Sequence, residues 1–449
     1  MKTQKVIDIG ARRELFVDDF MIEELEGGAE LRLHEPTARK VVMVHDEPWE
    51  GNTCGYHTIF KDGDLYRMYY RGSNHPQTHP PFACYAESGD GIHWTKPDLG
   101  LVAFEGSKKN NILLEGIGTH NFTPFKDPNP ACLRGAQYKA LGRGQGAEKS
   151  TLFAFRSADG IHWELMQSEP VITEGAMDSQ NLAFWDAVRG EYRCYLRDFR
   201  DGYRGIRTCR SKDFLAWSDP LWLHFPDAPR EHLYTNQVQP YYRAPHIYIG
   251  FPSRFVPDRG SLVEPLFMSS RDGRTFHRWE ESIIRPGRNS ERWHNRSNYV
   301  WWGLVPTDSP LPGAGQELSL YTNERYYYEG KGVRIRRYTY RPDGFVSAHA
   351  PFSGGRVLTK PFTFVGTRLL LNVSTSAAGS VRVEIKDAQG EPIDGFRLTD
   401  CQEIYGDEIE RLVEWEGGRD VGDLQGRAIR LLFVLEDADI YAFRFAGDS

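Results

Sequence analysis

One phrase recurs along this chain and restricts its fold more than any bulk property. It reads Ser88-Gly-Asp-Gly-Ile-His-Trp94 and Ser157-Ala-Asp-Gly-Ile-His-Trp163, then more weakly Ser211-Lys-Asp-Phe-Leu-Ala-Trp217 and Ser270-Arg-Asp-Gly-Arg-Thr-Phe276. A fifth copy, Tyr340-Arg-Pro-Asp-Gly-Phe345, has lost the serine. The closing aromatics stand at positions 94, 163, 217, 276 and 345, so the interval stays between 54 and 69 residues. Self-similarity of this kind is the signature of repeated supersecondary units. Asp-Gly ahead of an aromatic predicts a tight turn into a strand, because glycine supplies the positive φ that the turn requires.

The same layout lies upstream of each turn. Gly55-Tyr-His-Thr-Ile-Phe60 and Leu65-Tyr-Arg-Met-Tyr-Tyr70 flank Asp62-Gly-Asp64 in the first unit. Asn181-Leu-Ala-Phe-Trp185 and Glu191-Tyr-Arg-Cys-Tyr195 flank Val188-Arg-Gly190 in the third. Short antiparallel strands repeated radially hide their sheet edges from other chains, and five such units predict a five-bladed β-propeller. After residue 350 the texture changes to alternating runs such as Val381-Arg-Val-Glu-Ile385 and Ile440-Tyr-Ala-Phe-Arg-Phe445, the pattern of an antiparallel β-sandwich. The expected fold is therefore all-β, a propeller over residues 1–350 followed by a C-terminal sandwich over 351–449. The stretch to about residue 45 is expected on the propeller rim or as part of its last blade.

Composition narrows the function classes. With 55 Lys+Arg against 62 Asp+Glu the net charge is −7, and no basic run exists to hold nucleic acid or an anionic membrane. No run of 18 apolar residues occurs, so no transmembrane helix is expected. The start has no apolar stretch long enough for a secretion signal, which predicts a cytoplasmic protein, or a secreted one if a leader has been removed. Six cysteines are scattered singly, without a C-x-x-C pair, as suits reduced thiols. Aromatics reach 13 % of the chain; most suit β-core packing, and some can form platforms for sugar rings.

In a propeller the innermost strand of each blade starts beside the axis, so polar residues at those starts converge. They read Trp49-Glu50-Gly-Asn52, His120-Asn121, Asp178-Ser-Gln-Asn181, Glu231-His232 with Asn236, and Asn295-Arg296-Ser-Asn298. Three acids from three blades, Glu50, Asp178 and Glu231, are thus expected in one pocket, where crowding of like charges raises at least one pKa as acid/base chemistry requires. Asp198 and Glu324 end strands with two readings, a buried ion pair or a grip on sugar hydroxyls. Arg71, Arg254 and Arg296 also lie near strand ends and could bind an acidic or phosphorylated substrate. Trp49, Trp293, Trp301 and Trp302 are candidates for sugar stacking. His57, His120, His232 and His294 lie near the expected mouth, but no two stand at ligand spacing, so neither a metal nor a cofactor is expected. P-loop, GxGxxG, HExxH and GxSxG motifs are missing, and Gly142-Arg-Gly-Gln-Gly146 reads as a flexible loop.

A five-bladed propeller followed by a β-sandwich resembles the glycoside hydrolases of the β-fructosidase and arabinanase type, families thirty-two, sixty-eight, forty-three and sixty-two. Leu15-Phe-Val-Asp-Asp-Phe20 together with Asp178-Ser-Gln-Asn181 resembles uncharacterised bacterial relatives of that superfamily. The resemblance implies Asp178 as the transition-state-stabilising aspartate and Glu231 as the acid/base glutamate. The family has an aspartate at the first blade's entrance where this chain has Glu50, so the base or nucleophile is the loosest of the three assignments. The implied activity is hydrolysis of a glycosidic bond in a small carbohydrate. The alternatives are a glycoside phosphorylase on the same fold and a non-catalytic sugar-binding propeller, because a fold alone never fixes function. Homo-oligomerisation is left open.

Overall fold

The computed structural model describes residues 5–447 and is all-β. The chain divides into two compact units: residues 36–241 with 245–341, and a second unit made of residues through Glu35, Tyr242–Ala244 and those from Pro342 onward.

The first unit is a five-bladed propeller of four-stranded antiparallel sheets. Blade one contains Gly55–Asp62, Leu65–Gly72, Phe82–Ser88 and Ile112–Leu114, and blade two Gly118–Lys126, Tyr138–Arg143, Leu152–Ser157 and Glu164–Leu165. Blade three contains Leu182–Asp186, Glu191–Arg200, Tyr203–Ser211 and Leu221–Trp222. Blade four contains Gln239–Tyr241, Ala244–Gly250, Met268–Ser270 and His277–Arg278, and carries the extra hairpin Ser253–Val256 with Leu262–Pro265. Blade five takes Val305–Asp308, Gln316–Glu324 and Arg334–Tyr340, and its fourth strand, Thr37–Val44, comes from the other end of the chain. That borrowed strand ties the last blade to the residues that lead into the first. At the same seam Ile59 N–H donates to Trp302 O at 2.9 Å, so the ring closes without an open edge between blades five and one.

The recurrent phrase is a self-capping turn between the third and fourth strands of blades one to four. In blade two, Ser157 Oγ accepts from Gly160 N–H at 2.8 Å, while Asp159 Oδ1 accepts from Ile161 and His162 N–H, each at 2.8 Å. Ser88 with Asp90, Ser211 with Asp213 and Ser270 with Asp272 repeat the pattern. Position four of the turn has positive φ, +80° at Gly160, and in blades one, two and four its carbonyl accepts from a tyrosine of the preceding blade. Tyr69 reaches Gly160 at 2.9 Å, Tyr195 reaches Gly273 at 2.8 Å and Tyr321 reaches Gly91 at 2.6 Å. The turn therefore stitches neighbouring blades together. In blade three Phe214 takes the left-handed position, and its fully buried ring compensates for that backbone.

The second unit is the C-terminal β-sandwich, whose ten strands are hydrogen-bonded into one bent sheet. Its two long strands, Arg368–Asp387 and Ile429–Ala446, pair antiparallel, with register shifts between Asn372 and Val373 and between Thr375 and Ser380. Such bulges bend a strand pair. Ile429, Leu431, Phe433 and Leu435 enter one apolar core at alternate positions. Two expectations change here. Ile7–Gly10, Glu14–Leu15, Ile22–Gly27 and Glu30–Leu33 pair into this sheet rather than lying on the rim, because Ile9, Phe16, Met21 and Ile22 belong to its core. The C-terminal stretch of the unit runs from Pro342 rather than from 351. The fifth copy of the phrase consequently closes no blade: its Asp343 is a buried hub that accepts from Arg13 at 3.3 Å, Arg243 at 3.0 Å and Asn372 at 2.9 Å.

Candidate active site

The starts of the innermost strands do converge. Tyr56 of blade one donates to Asp178 O of blade three at 2.9 Å and lies 5.7 Å, ring to ring, from His120 of blade two. Ser179 donates to Tyr234 O of blade four at 2.8 Å, and Tyr234 lies 5.6 Å from Tyr299 at the start of blade five. One layer deeper the axis is plugged. Gln180 donates to His57 O at 2.9 Å and accepts from Gln237 at 2.9 Å, which joins blades one, three and four.

Around these tyrosines stand five arginines. Arg71 lies over the Tyr56 ring at 4.7 Å and donates to Tyr326 Oη and Thr53 O, both at 2.7 Å. Arg197, Arg204 and Arg296 lie 4.9, 5.5 and 5.8 Å from the centroid of Tyr234. Arg143 ends the middle strand of blade two, close enough that Arg197 and Arg71 add to burial in holding its guanidinium below the ordinary range. Burial, with Arg71, Arg143 and Arg197 nearby, likewise keeps the His120 imidazole neutral. Arg71 and Arg296 are among the arginines the sequence singles out, and Arg197 adjoins Asp198. Arg143 and Arg204 are not among them, since Arg143 reads as loop. A signal was available. Arg71 pairs across the sheet with Gly55 and Arg143 with Gly118, so in both blades an arginine ends the middle strand opposite a glycine that opens the inner one.

The three expected acids have three different fates. Asp178 is at the convergence, with its side chain 47 % exposed and its carboxylate paired with Arg197. Glu231 is turned aside: Arg254 and Arg278 engage both of its oxygens on the wall of a groove of about 340 Å³, which Tyr203, Arg204, Trp222 and Phe225 also line. With both oxygens accepting from guanidiniums, Glu231 is not poised to protonate a leaving group in this arrangement. Glu50 corrects the expectation outright, because its side chain is sealed from solvent. It accepts from Tyr70 at 2.5 Å, Lys96 at 2.7 Å, Glu47 N–H at 3.1 Å and His45 at 3.2 Å. Burial alone would raise its pKa, but His45 and Lys96 outweigh burial and hold it at about 2. A group so enclosed positions the first blade's entrance; it does not meet substrate.

Most of the other expected contacts are also structural. Glu324 is buried and paired with Arg334 at 2.9 Å and Arg336 at 2.6 Å, and Asp198 is paired with Arg207 at 2.8 Å. Arg254 bridges Glu231 and Glu264. Asn52 exchanges hydrogen bonds with the His75 backbone, and Asn298 with Arg292. Asn181 donates to Ser179 O at 2.9 Å, and Asn236 caps Val238 N–H at 3.2 Å. His232 accepts from Arg204 N–H and stacks on Tyr203. Trp49 is half-buried and donates to Asn111 at 2.8 Å; Trp301 and Trp302 are core. Trp293 is 56 % exposed and remains available to a ligand. Among the described residues no group of three or more His, Cys, Asp or Glu side chains is placed to hold a metal, and no helix is long and apolar enough to cross a membrane.

No family model matches the chain. It is 26 % identical over 151 residues to an uncharacterized protein of Mycobacterium tuberculosis, a match that covers 32 % of this chain and 42 % of that protein. The chain thus spans less than half the length of the curated relatives it matches. Among solved structures it is similar to a thermostable family-43 glycoside hydrolase, with a TM-score of 0.46, 15 % identity and coverage of 66 % of this chain and 93 % of that one. It is also similar to an α-L-arabinofuranosidase from Podospora anserina solved with cellotriose, with a TM-score of 0.47, 10 % identity and coverage of 69 % and 98 %.

Proposed function

We propose that this chain is a carbohydrate-active enzyme that cleaves a glycosidic bond at the propeller axis, with Asp178 as the working carboxylate. The observation that carries the reading is the placement of Asp178. Of the acids expected at the axis it is the one that is both open to solvent and at the point where blades one, three, four and five meet. Arg197 fixes its orientation, and a fixed carboxylate stabilises the positive charge that builds on a sugar ring as the glycosidic bond breaks. The groove that Arg204 shares with the axial cluster has a volume within the roughly 300–1,000 Å³ of small-ligand sites.

The test is a reducing-sugar and aryl-glycoside screen on purified protein, with Asp178→Asn as control. The expected result is turnover of at least one glycoside and a loss of about 10²–10³-fold in the variant, assayed where circular dichroism shows it folded. A folded Asp178→Asn protein of full activity would remove Asp178 from the mechanism. A folded wild type inert across the screen would leave a sugar-binding propeller.

A further inference from the structure

We propose that the axial arginine centre is an oxyanion-binding site, built to hold a phosphate group or the carboxylate of an acidic sugar. Four blades contribute to it: Arg71 from blade one, Arg143 from blade two, Arg197 and Arg204 from blade three and Arg296 from the start of blade five. Against these five guanidiniums the one carboxylate paired with any of them, among the described residues, is Asp178. The chain as a whole is acidic, with a net charge of −7, so this local excess of cations runs against its average.

The hydrogen-bonding of these side chains is incomplete. The guanidiniums of Arg204 and Arg296 lie over tyrosine and phenylalanine rings without an acceptor. The Nε atoms of Arg71, Arg197, Arg204 and Arg296 and the hydroxyl of Tyr299 are buried without a partner. Other arginines also bury an unpartnered Nε, but Arg278 and Arg334 each offset it with an ion pair to Glu231 or Glu324. At the axis only Arg197 has such a pair.

The magnitudes favour a missing anion over a purely structural cluster. A cation over an aromatic face gains less than removing that ion from water costs, and neighbouring like charges add to the cost. Burial and the adjacent guanidiniums hold Arg143 and Arg204 below the ordinary arginine range, whereas at Arg71 and Arg296 the surrounding tyrosines outweigh burial and raise the pKa. Planar guanidiniums that converge from several directions match an oxyanion, which can accept two parallel bonds from each. The neutral imidazole of His120 and the protonated Tyr299 hydroxyl add uncharged donors to the same centre.

This inference concerns what binds and is read without turnover, so it stands or falls apart from the glycosidic reading. The experiment is isothermal titration of the full chain at low ionic strength with inorganic phosphate, D-glucuronate, D-galacturonate and, as neutral control, D-glucose. Arg204→Met and Arg296→Met are titrated beside the wild type, and the thermal midpoints of the unliganded proteins are recorded. Binding of at least one anion and not of glucose, weakened tenfold or more in both variants, is the expected result. The unliganded Arg204→Met protein should melt at or above the wild-type temperature, because it loses a charge that Arg197 and Arg296 repel. Binding of phosphate alone assigns a phosphate group, and binding of a uronate alone assigns an acidic sugar. Silence with all three anions, or anion binding that both variants retain, would overturn the proposal, and variants that melt lower with unchanged binding would make the arginines structural.

Discussion

Glu50 offers the sharpest test of how this propeller is held together. Its carboxylate is sealed from solvent, accepts four hydrogen bonds and is held at about 2 against an ordinary 4.5. A carboxyl displaced that far contributes about 3 kcal/mol to stability at neutral pH. The sign follows from the direction: a depressed folded-state pKa stabilises above 4.5, and the contribution drains away as pH falls toward 2. Glu50→Gln removes the charge and leaves the Lys96 ammonium with Val44 O at 3.0 Å and the exposed Asp46 at 3.6 Å. Breaking a buried pair costs roughly 3–5 kcal/mol, so the two estimates agree on a loss near 3 kcal/mol at pH 7. Urea unfolding of wild type and variant from pH 7 down to pH 3 measures it. The gap should be full at pH 7 and should narrow below pH 4.5, because a protonated Glu50 resembles the glutamine. Equal stability at pH 7, or a gap that ignores pH, would refute the reasoning. A variant that is fully stable yet inactive would return Glu50 to the chemistry.

Two further outcomes follow from the turns and the seam. Asp159→Ala removes the Oδ1 that caps Ile161 and His162 N–H, and should lower stability by about 1–2 kcal/mol in thermal unfolding; an unchanged midpoint would deny that the repeat stitches the blades. Gly303→Ala should fail at the junction of blades five and one, where φ is +120° and a Cβ would lie 1.9 Å from Ile59 O. Soluble yield and circular dichroism report this, and a variant with wild-type yield and spectrum would show that the seam can shift.

The blade architecture was legible in the chain because its determinants are local. Ser, Asp and Gly within four positions satisfy each other's backbone N–H groups, so the turn forms wherever the phrase occurs and its repetition counts four of the five blades. The fifth copy misled for the same reason. Pro342-Asp-Gly is locally a turn, but whether a turn closes a blade depends on which strand comes next, and here that strand arrives from Thr37–Val44. The placement of residues 5–35 was equally out of reach, since Phe16 and Met21 look like any apolar residues until the core they enter is assembled.

The site divides along the same line. The repeat placed Asp178, Glu231 and Glu50 at three blade entrances, which strand order alone can do. Which of them faces the axis is a matter of side-chain partners 5 to 47 positions away. Glu50 is closed off by His45, Tyr70 and Lys96, and Glu231 is drawn aside by Arg254 and Arg278, while Asp178 keeps an open face beside Arg197. Charge shows the contrast most plainly. Local signals suffice for an acidic all-β repeat with polar groups at its inner strand ends. The meeting of five arginines around Tyr56 and Tyr234, scattered over some 225 positions from Arg71 to Arg296, needs the folded ring, because electrostatic proximity is a property of distances through the ring and not along the chain.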